Sequence, residues 1–122
     1  MGDGKSRVEI LMQTTYYMLH MGFQARQKGY RYIREAVWIA YLEPEKLTSV
    51  TKLLYPEIAR LFHTTDKKIE RAMRNAIETT WSTGNKEAIG EIFGSDYIEE
   101  DKRPTNTEFI VTLLEYIGRA ED

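Results

Sequence analysis

The sequence predicts an all-α fold, a six-helix bundle that contains a helix-turn-helix. Three observations predict it. Apolar residues recur at three- and four-residue steps along most of the chain, no segment shows the two-residue alternation of a half-buried strand, and glycines and prolines fall between the periodic runs. With 122 residues, 42% hydrophobic and 30% charged, the chain has the size and composition of one globular domain, spanning 1–122, with a core of its own.

Taken in order, Val8, Leu11, Thr15, Met18 and Leu19 mark a first helix over Arg7–Met21, ended by Gly22. A second runs over about 27–42 with Tyr30, Ile33, Val37, Ala40 and Tyr41 inward, and Pro44 closes it. A third begins near Thr48 and is expected to bury Val50, Leu53 and Leu54. Pro56 interrupts it, because proline disfavours helical geometry at the residue before it yet suits the first turn of a new helix. That short helix covers 56–62. The next follows Thr65 as its cap and runs to Trp81, before Gly84. A brief turn over 86–92 stops at Gly94, and the run TNTE, with Thr105 and Glu108 spaced as a capping box, opens the last helix. Its buried stripe is Phe109, Ile110, Leu113, Leu114 and Ile117.

The span 56–81 has the layout of a helix-turn-helix. Ala59 is the small residue that lets the second helix cross closely, with Ile58 and Phe62 beside it on the core side. His63 holds the turn position where glycine is usual, and histidine enters left-handed geometry more readily than most residues. Ile69 follows ten residues after Ala59, and Ala72, Met73, Ala76 and Ile77 extend the buried stripe. With Ile69, Met73, Ala76, Ile77 and Thr80 inward, the second helix presents Lys67, Glu70, Arg71, Arg74, Asn75 and Glu78 outward. In a major groove arginine forks onto guanine, asparagine pairs with adenine and glutamate accepts from cytosine. The competing reading of these charges is intrahelical pairing, Glu70 with Arg74 at four-residue spacing.

A net charge of −2 conceals an uneven distribution. Arg26, Lys28, Arg31 and Arg34 form one basic group without acids, and Arg60, Lys67, Lys68, Arg71 and Arg74 form a second. Glu87, Glu91, Asp96, Glu99, Glu100 and Asp101 gather in an acidic segment. Local cation clusters on an acidic chain point to a polyanionic partner, double-stranded DNA, with solvated helix faces as the alternative. Arg26 and Lys28, and Lys102, Arg103, Thr105 and Asn106 at the start of the last helix, are candidate phosphate contacts.

Other classes fare poorly. The chain has no cysteine, which removes disulfides and thiolate metal sites. His20 and His63 have no nucleophile or metal ligand at a recognisable spacing, and no glycine-rich phosphate loop follows a strand, so neither an enzyme nor a cofactor is expected. No run approaches the ~18 apolar residues of a membrane span, and the amino end lacks a signal peptide's apolar core. A cytoplasmic protein without a membrane partner is the expectation. The surviving rival is a protein-interaction module, or an antagonist of the same fold without DNA affinity, gripping a partner through the acidic segment and Tyr97.

Three stretches carry a resemblance: GYRYIREAV, LTSVTKLLYPEIARLFHTTDKKIERAMRNAIETTWSTGN and KRPTNTEFI. They resemble the carboxy-terminal effector domain of the sporulation initiation transcription factor, a response-regulator family of endospore-forming Firmicutes. The likeness runs over about 22–117 and weakens before Met21 and between Ser95 and Asp101. It implies a six-helix bundle that reads a TGTCGAA-like box, often as a head-to-tail pair on which domains self-associate. It implies a recognition helix over 66–81, base contacts from Glu70, Arg71 and Arg74, and phosphate contacts from Arg26, Lys28, Arg103 and Asn106. Asn75 is kept as a further candidate base contact, and Lys67 and Lys68 of the basic group as candidate phosphate contacts. Asn75 departs from the family pattern, which has histidine there. The resemblance also implies transcriptional activation through the RNA polymerase sigma factor, touched by the segment 84–94 including Ala88, Gly90 and Phe93. Full-length members carry a receiver domain ahead of this one. None is legible here, so the sequence reads as an excised effector domain or a stand-alone relative, expected to bind DNA without phosphorylation.

Overall fold

A computed structural model describes residues 4–119; residues 1–3 and 120–122 of the expected domain lie outside the described residues. The fold is all-α. Among the described residues there are six α-helices of seven residues or more and one four-residue turn of helix: α1 (Arg7–Met21), α2 (Lys28–Leu42), α3 (Tyr55–Leu61), α4 (Asp66–Thr83), α5 (Lys86–Phe93), α6 (Asp96–Glu99) and α7 (Asn106–Arg119). Of the seven helical segments read along the sequence, six correspond to α1–α5 and α7; the third became irregular turns, and α6 is extra.

Local chemistry fixes most helix starts. Ser6 and Glu9 form a capping box at α1, Thr65 Oγ1 accepts from the Lys68 amide at α4, and Asn85 Oδ1 accepts from the Ala88 amide at α5. At α7, Thr105 and Glu108 exchange backbone-to-side-chain hydrogen bonds in both directions, the capping box expected from TNTE.

Two expectations need correction. The periodic residues that mark α1 are not the face it buries: Ile10, Thr14, Met18 and Met21 are buried, while Val8 and Leu19 are exposed with Met12, which is 66% accessible. Apolar residues surround α1 on most sides, so periodicity alone allowed two inward faces, and packing against α2 selected one. The third helix is replaced by a 3₁₀ stretch, Pro44–Ser49, followed by a π-helical turn, Val50–Leu54. Across that wide turn the Tyr55 amide reaches the Val50 carbonyl, and Pro56 then sits in the first turn of α3, where its missing N–H leaves no bond unmade. Val50 and Leu54 are buried as expected, but the altered winding leaves Leu53 43% exposed.

Two close crossings set the layout. Gly29 lies where α2 meets α4 so tightly that a Cβ there would stand 2.1 Å from the Ala72 carbonyl oxygen. Gly22, with φ of 106°, and Gly84 meet where α1 and α4 end, and the Asn85 amide donates to the Met21 carbonyl at 2.9 Å. Behind α4, Trp81 meets Phe93 edge-on at 5.0 Å and Phe109 at 6.1 Å, which ties α5 and α7 to its inner face.

Gly29→Ala is expected to force α2 off α4 and lower stability by about 1–3 kcal/mol, the usual penalty for overpacking. A urea unfolding midpoint unchanged from the parent chain would show that the crossing is not tight.

Candidate nucleic-acid interface

α3, the turn and α4 form the helix-turn-helix expected over 56–81. Ile58 and Ala59 are buried, and the α3 terminus closes with two hydrogen bonds: the Thr64 amide to the Ala59 carbonyl (2.9 Å) and the His63 amide to the Arg60 carbonyl (3.4 Å). This Schellman pattern requires a left-handed residue in the middle, and His63 supplies it with φ of 54°. Phe62 seats the corner by meeting the Tyr32 ring edge-on at 4.9 Å.

Ile69, Met73, Ala76, Ile77, Thr80 and Trp81 are buried along the inner face of α4. That seam turns Lys67, Arg71, Arg74 and Glu78 outward as a ridge, all exposed. Glu70 is half-buried on one side of the ridge, and Asn75 is exposed on the other. Glu70 and Arg74 are ion-paired through Oε2 and Nη1, so the intrahelical pairing considered from spacing does form. An exposed pair at this spacing contributes only ~0.2–0.5 kcal/mol, small against a base contact. Arg71 and Asn75 make no side-chain hydrogen bond or ion pair among the described residues.

A cleft lies on each side of the ridge. One, of about 470 Å³, is lined by Lys28, Tyr32, His63, Lys68, Arg71 and Asn75. The other, of about 420 Å³, is lined by residues including Glu70, Arg74, Glu78, Arg103 and Thr105. Lys28 reaches the first because Gly29 lets the amino end of α2 lie against α4 at Ala72. Gln27, the N-cap of α2, makes no side-chain capping bond, so that helix end presents unsatisfied amides beside Lys28. Arg26 is exposed in the preceding loop, and Lys67 and Lys68 are exposed in the first turn of α4. Arg103 borders the second cleft, with Nη1 donating to the Glu78 carbonyl at 3.3 Å and Nη2 3.7 Å from Asp101.

Asn106 is a correction. Expected on the surface as a phosphate contact, it is only 7% exposed. Its Nδ2 donates to the Tyr55 hydroxyl (3.0 Å) and to the Glu70 carbonyl (3.1 Å), tying α3, α4 and α7 together. Burial raises the Tyr55 pKa above that of an ordinary phenol, and the Asn106 hydrogen bond partly offsets this. The sequence showed a capping box next to a polar residue; it had no signal that the chain would turn the Asn106 side chain inward.

Ala88 is the second correction. It is 1% exposed on the inner face of α5, out of reach of any partner. Gly90 is half-exposed, and Phe93 is half-buried, stacked on Phe109 at 5.3 Å. The acids Glu87 and Glu91 on α5, Asp96 and Glu99 on α6, and Glu100 and Asp101 just beyond it are all exposed. His20 lies 3.5 Å from Glu91. No described helix is long and apolar enough to cross a membrane.

Comparison with known families gives one match. The model described as "Sporulation initiation factor Spo0A C terminal" covers residues 14–117, which takes in every residue of the helix-turn-helix, both clefts and the acidic segment.

Asn106→Ala leaves the Tyr55 hydroxyl and the Glu70 carbonyl without their buried donor. It is expected to lower unfolding stability by about 1–3 kcal/mol, measured by denaturant titration. A surface phosphate ligand at that position would show no such loss.

Proposed function

The chain belongs to the family of sporulation initiation factor C-terminal domains, DNA-binding modules of a transcription factor, and from that premise we propose that α4 reads a TGTCGAA-like box in the major groove. The observation that carries the reading is the α4 ridge standing between two clefts, with Lys28, Lys68 and Arg71 on one and Arg103 on the other. A B-DNA major groove is about 12 Å wide, admits one helix, and has a phosphate strand on each side.

In this reading Arg71, unpaired in the free chain, forks onto a guanine. Arg74 and Glu70 exchange their exposed ion pair for base edges, Arg74 donating to a purine and Glu70 accepting from a cytosine amine. Asn75 addresses an adenine from the other side of the ridge. Arg26, Lys28, Lys67, Lys68 and Arg103 neutralise phosphates, and the uncapped amides at the start of α2 receive a further phosphate oxygen. Since these groups are already presented, binding needs no phosphorylation of this chain.

The domain self-associates on tandem boxes and works in the bacterial cytoplasm, on the nucleoid, as an activator or repressor. Activation follows from contact between the sigma factor and the surface of α5, through Gly90, the accessible edge of Phe93 and the flanking acids Glu87 and Glu91. A negative, partly apolar patch suits a basic partner surface.

Titrating boxed and scrambled duplexes at two salt concentrations tests the reading. Boxed DNA is expected to bind more tightly, with affinity falling steeply as salt rises because counterions are released. A protein-interaction module of the same fold would show neither preference nor salt slope. Arg71→Ala should cost about 1–3 kcal/mol on the boxed duplex and relax choice at one base position. Lys28→Ala should weaken all duplexes alike and flatten the log-log salt slope by about 0.9.

A further inference from the structure

We propose that His63 makes DNA binding proton-linked: its imidazole takes up a proton from solvent as the duplex docks, and the imidazolium donates to a phosphate oxygen in the cleft beside α4. This rests on the reading of α4 as the major-groove helix, and it adds a ligand group and a regulation that the reading does not contain.

Three observations carry it. First, His63 is held in place by its backbone. Its left-handed φ of 54° and the hydrogen bond its N–H donates to the Arg60 carbonyl fix the Cα in the corner between α3 and α4, so the exposed side chain leaves from a rigid point. Second, the cleft it lines is built for an anion. Lys28 comes from α2, Lys68 and Arg71 from α4, and Tyr32, Thr64 and Asn75 add polar groups to a wall that Phe62 and Ala72 also share. Third, the charged groups that line the cleft with His63 are all cationic. Besides these three, α2 contributes Arg31, whose guanidinium lies 5.7 Å from the Phe62 ring centre, and α3 contributes the exposed Arg60. No carboxylate lines the cleft; Asp66, the acid nearest in sequence, stands exposed in the first turn of α4 outside it.

In the free chain, then, nothing in the cleft offers an imidazolium a counter-charge. A docked phosphate supplies one. Histidine is the side chain whose ordinary titration falls near neutral pH, so this exchange moves a proton under ordinary solution conditions. The balance is simple: one proton leaves the buffer, one imidazole nitrogen gains it, and the resulting N–H points to a phosphate oxygen. Affinity for every duplex rises as pH falls, while preference for the box, set by the α4 ridge, is unchanged.

The test is fluorescence anisotropy with boxed and scrambled duplexes across about pH 5.5–8, on the parent chain and on His63→Asn, His63→Gly and His20→Asn. Asparagine and glycine both tolerate left-handed backbone, so these replacements keep the corner. The parent and His20→Asn should bind both duplexes about tenfold more tightly at the acid end, the equivalent of one pKa unit. Both His63 variants should give flat profiles. Calorimetry in buffers of different ionisation enthalpy should record uptake of up to about one proton by the parent near pH 6.5 and none by His63→Asn. A flat parent profile, or a slope that survives in His63→Asn, overturns the inference and leaves the proposed function standing. Failure of the parent to bind either duplex at any pH overturns the proposed function, and the inference with it.

Discussion

The close approach of α2 to α4 is the constraint on which the rest of this structure depends. Gly29 lets the two helix backbones come nearer than any side chain would permit, with the Ala72 carbonyl occupying the space of a Cβ. That contact sets the orientation of α4 relative to the bundle. It also brings the amino end of α2, with Lys28 and its unsatisfied amides, beside the outward ridge of α4. One missing methyl group therefore links packing to function, since the cleft beside the ridge exists only while the helices stay this close.

A second layer of constraint holds α4 from behind. The buried seam from Ile69 to Trp81 leaves α4 one way to face, and the aromatic cluster of Trp81, Phe93 and Phe109 anchors its carboxy-terminal half. Asn106 works from the other side, joining the α4 backbone at Glu70 to Tyr55 of α3 through one buried amide. A DNA reader gains from such support, because base edges are discriminated by hydrogen bonds whose strength falls off steeply with misalignment. The same aromatic cluster carries α5, and Tyr97 of α6 meets the rings of Trp81 and Phe93, so the acidic surface and the basic ridge are built on one core.

The sequence made much of this site legible. The buried and outward faces of α4 follow from helical periodicity over 18 residues that punctuation does not interrupt, and of the residues assigned to its buried stripe only Ala72 is left partly exposed. The left-handed turn at His63 follows from its position four residues after a small residue in a helix-turn-helix pattern, and the caps at Thr65 and Thr105 follow from local hydrogen-bonding chemistry. Where the pattern was ambiguous it misled. On α1 apolar residues offered two inward faces, and before Pro56 a helical period gave way to a wider turn. At Ala88 and Asn106, the family likeness and a surface composition pointed outward, whereas the chain turned both side chains in.

By itself, then, the amino-acid order determined the long helices, where each begins, and which groups α4 turns away from its core, because these depend on interactions between residues a few positions apart. Tertiary structure alone decided how near α2 comes to α4, which face of α1 is buried, and that Asn106 ties helices together. Those outcomes depend on contacts between residues on different helices, 36 and 51 positions apart in the two Asn106 bonds, and no local period encodes them. The cleft around His63 belongs to the same class: its cations come from two helices separated in sequence, and only the fold brings them together around one imidazole.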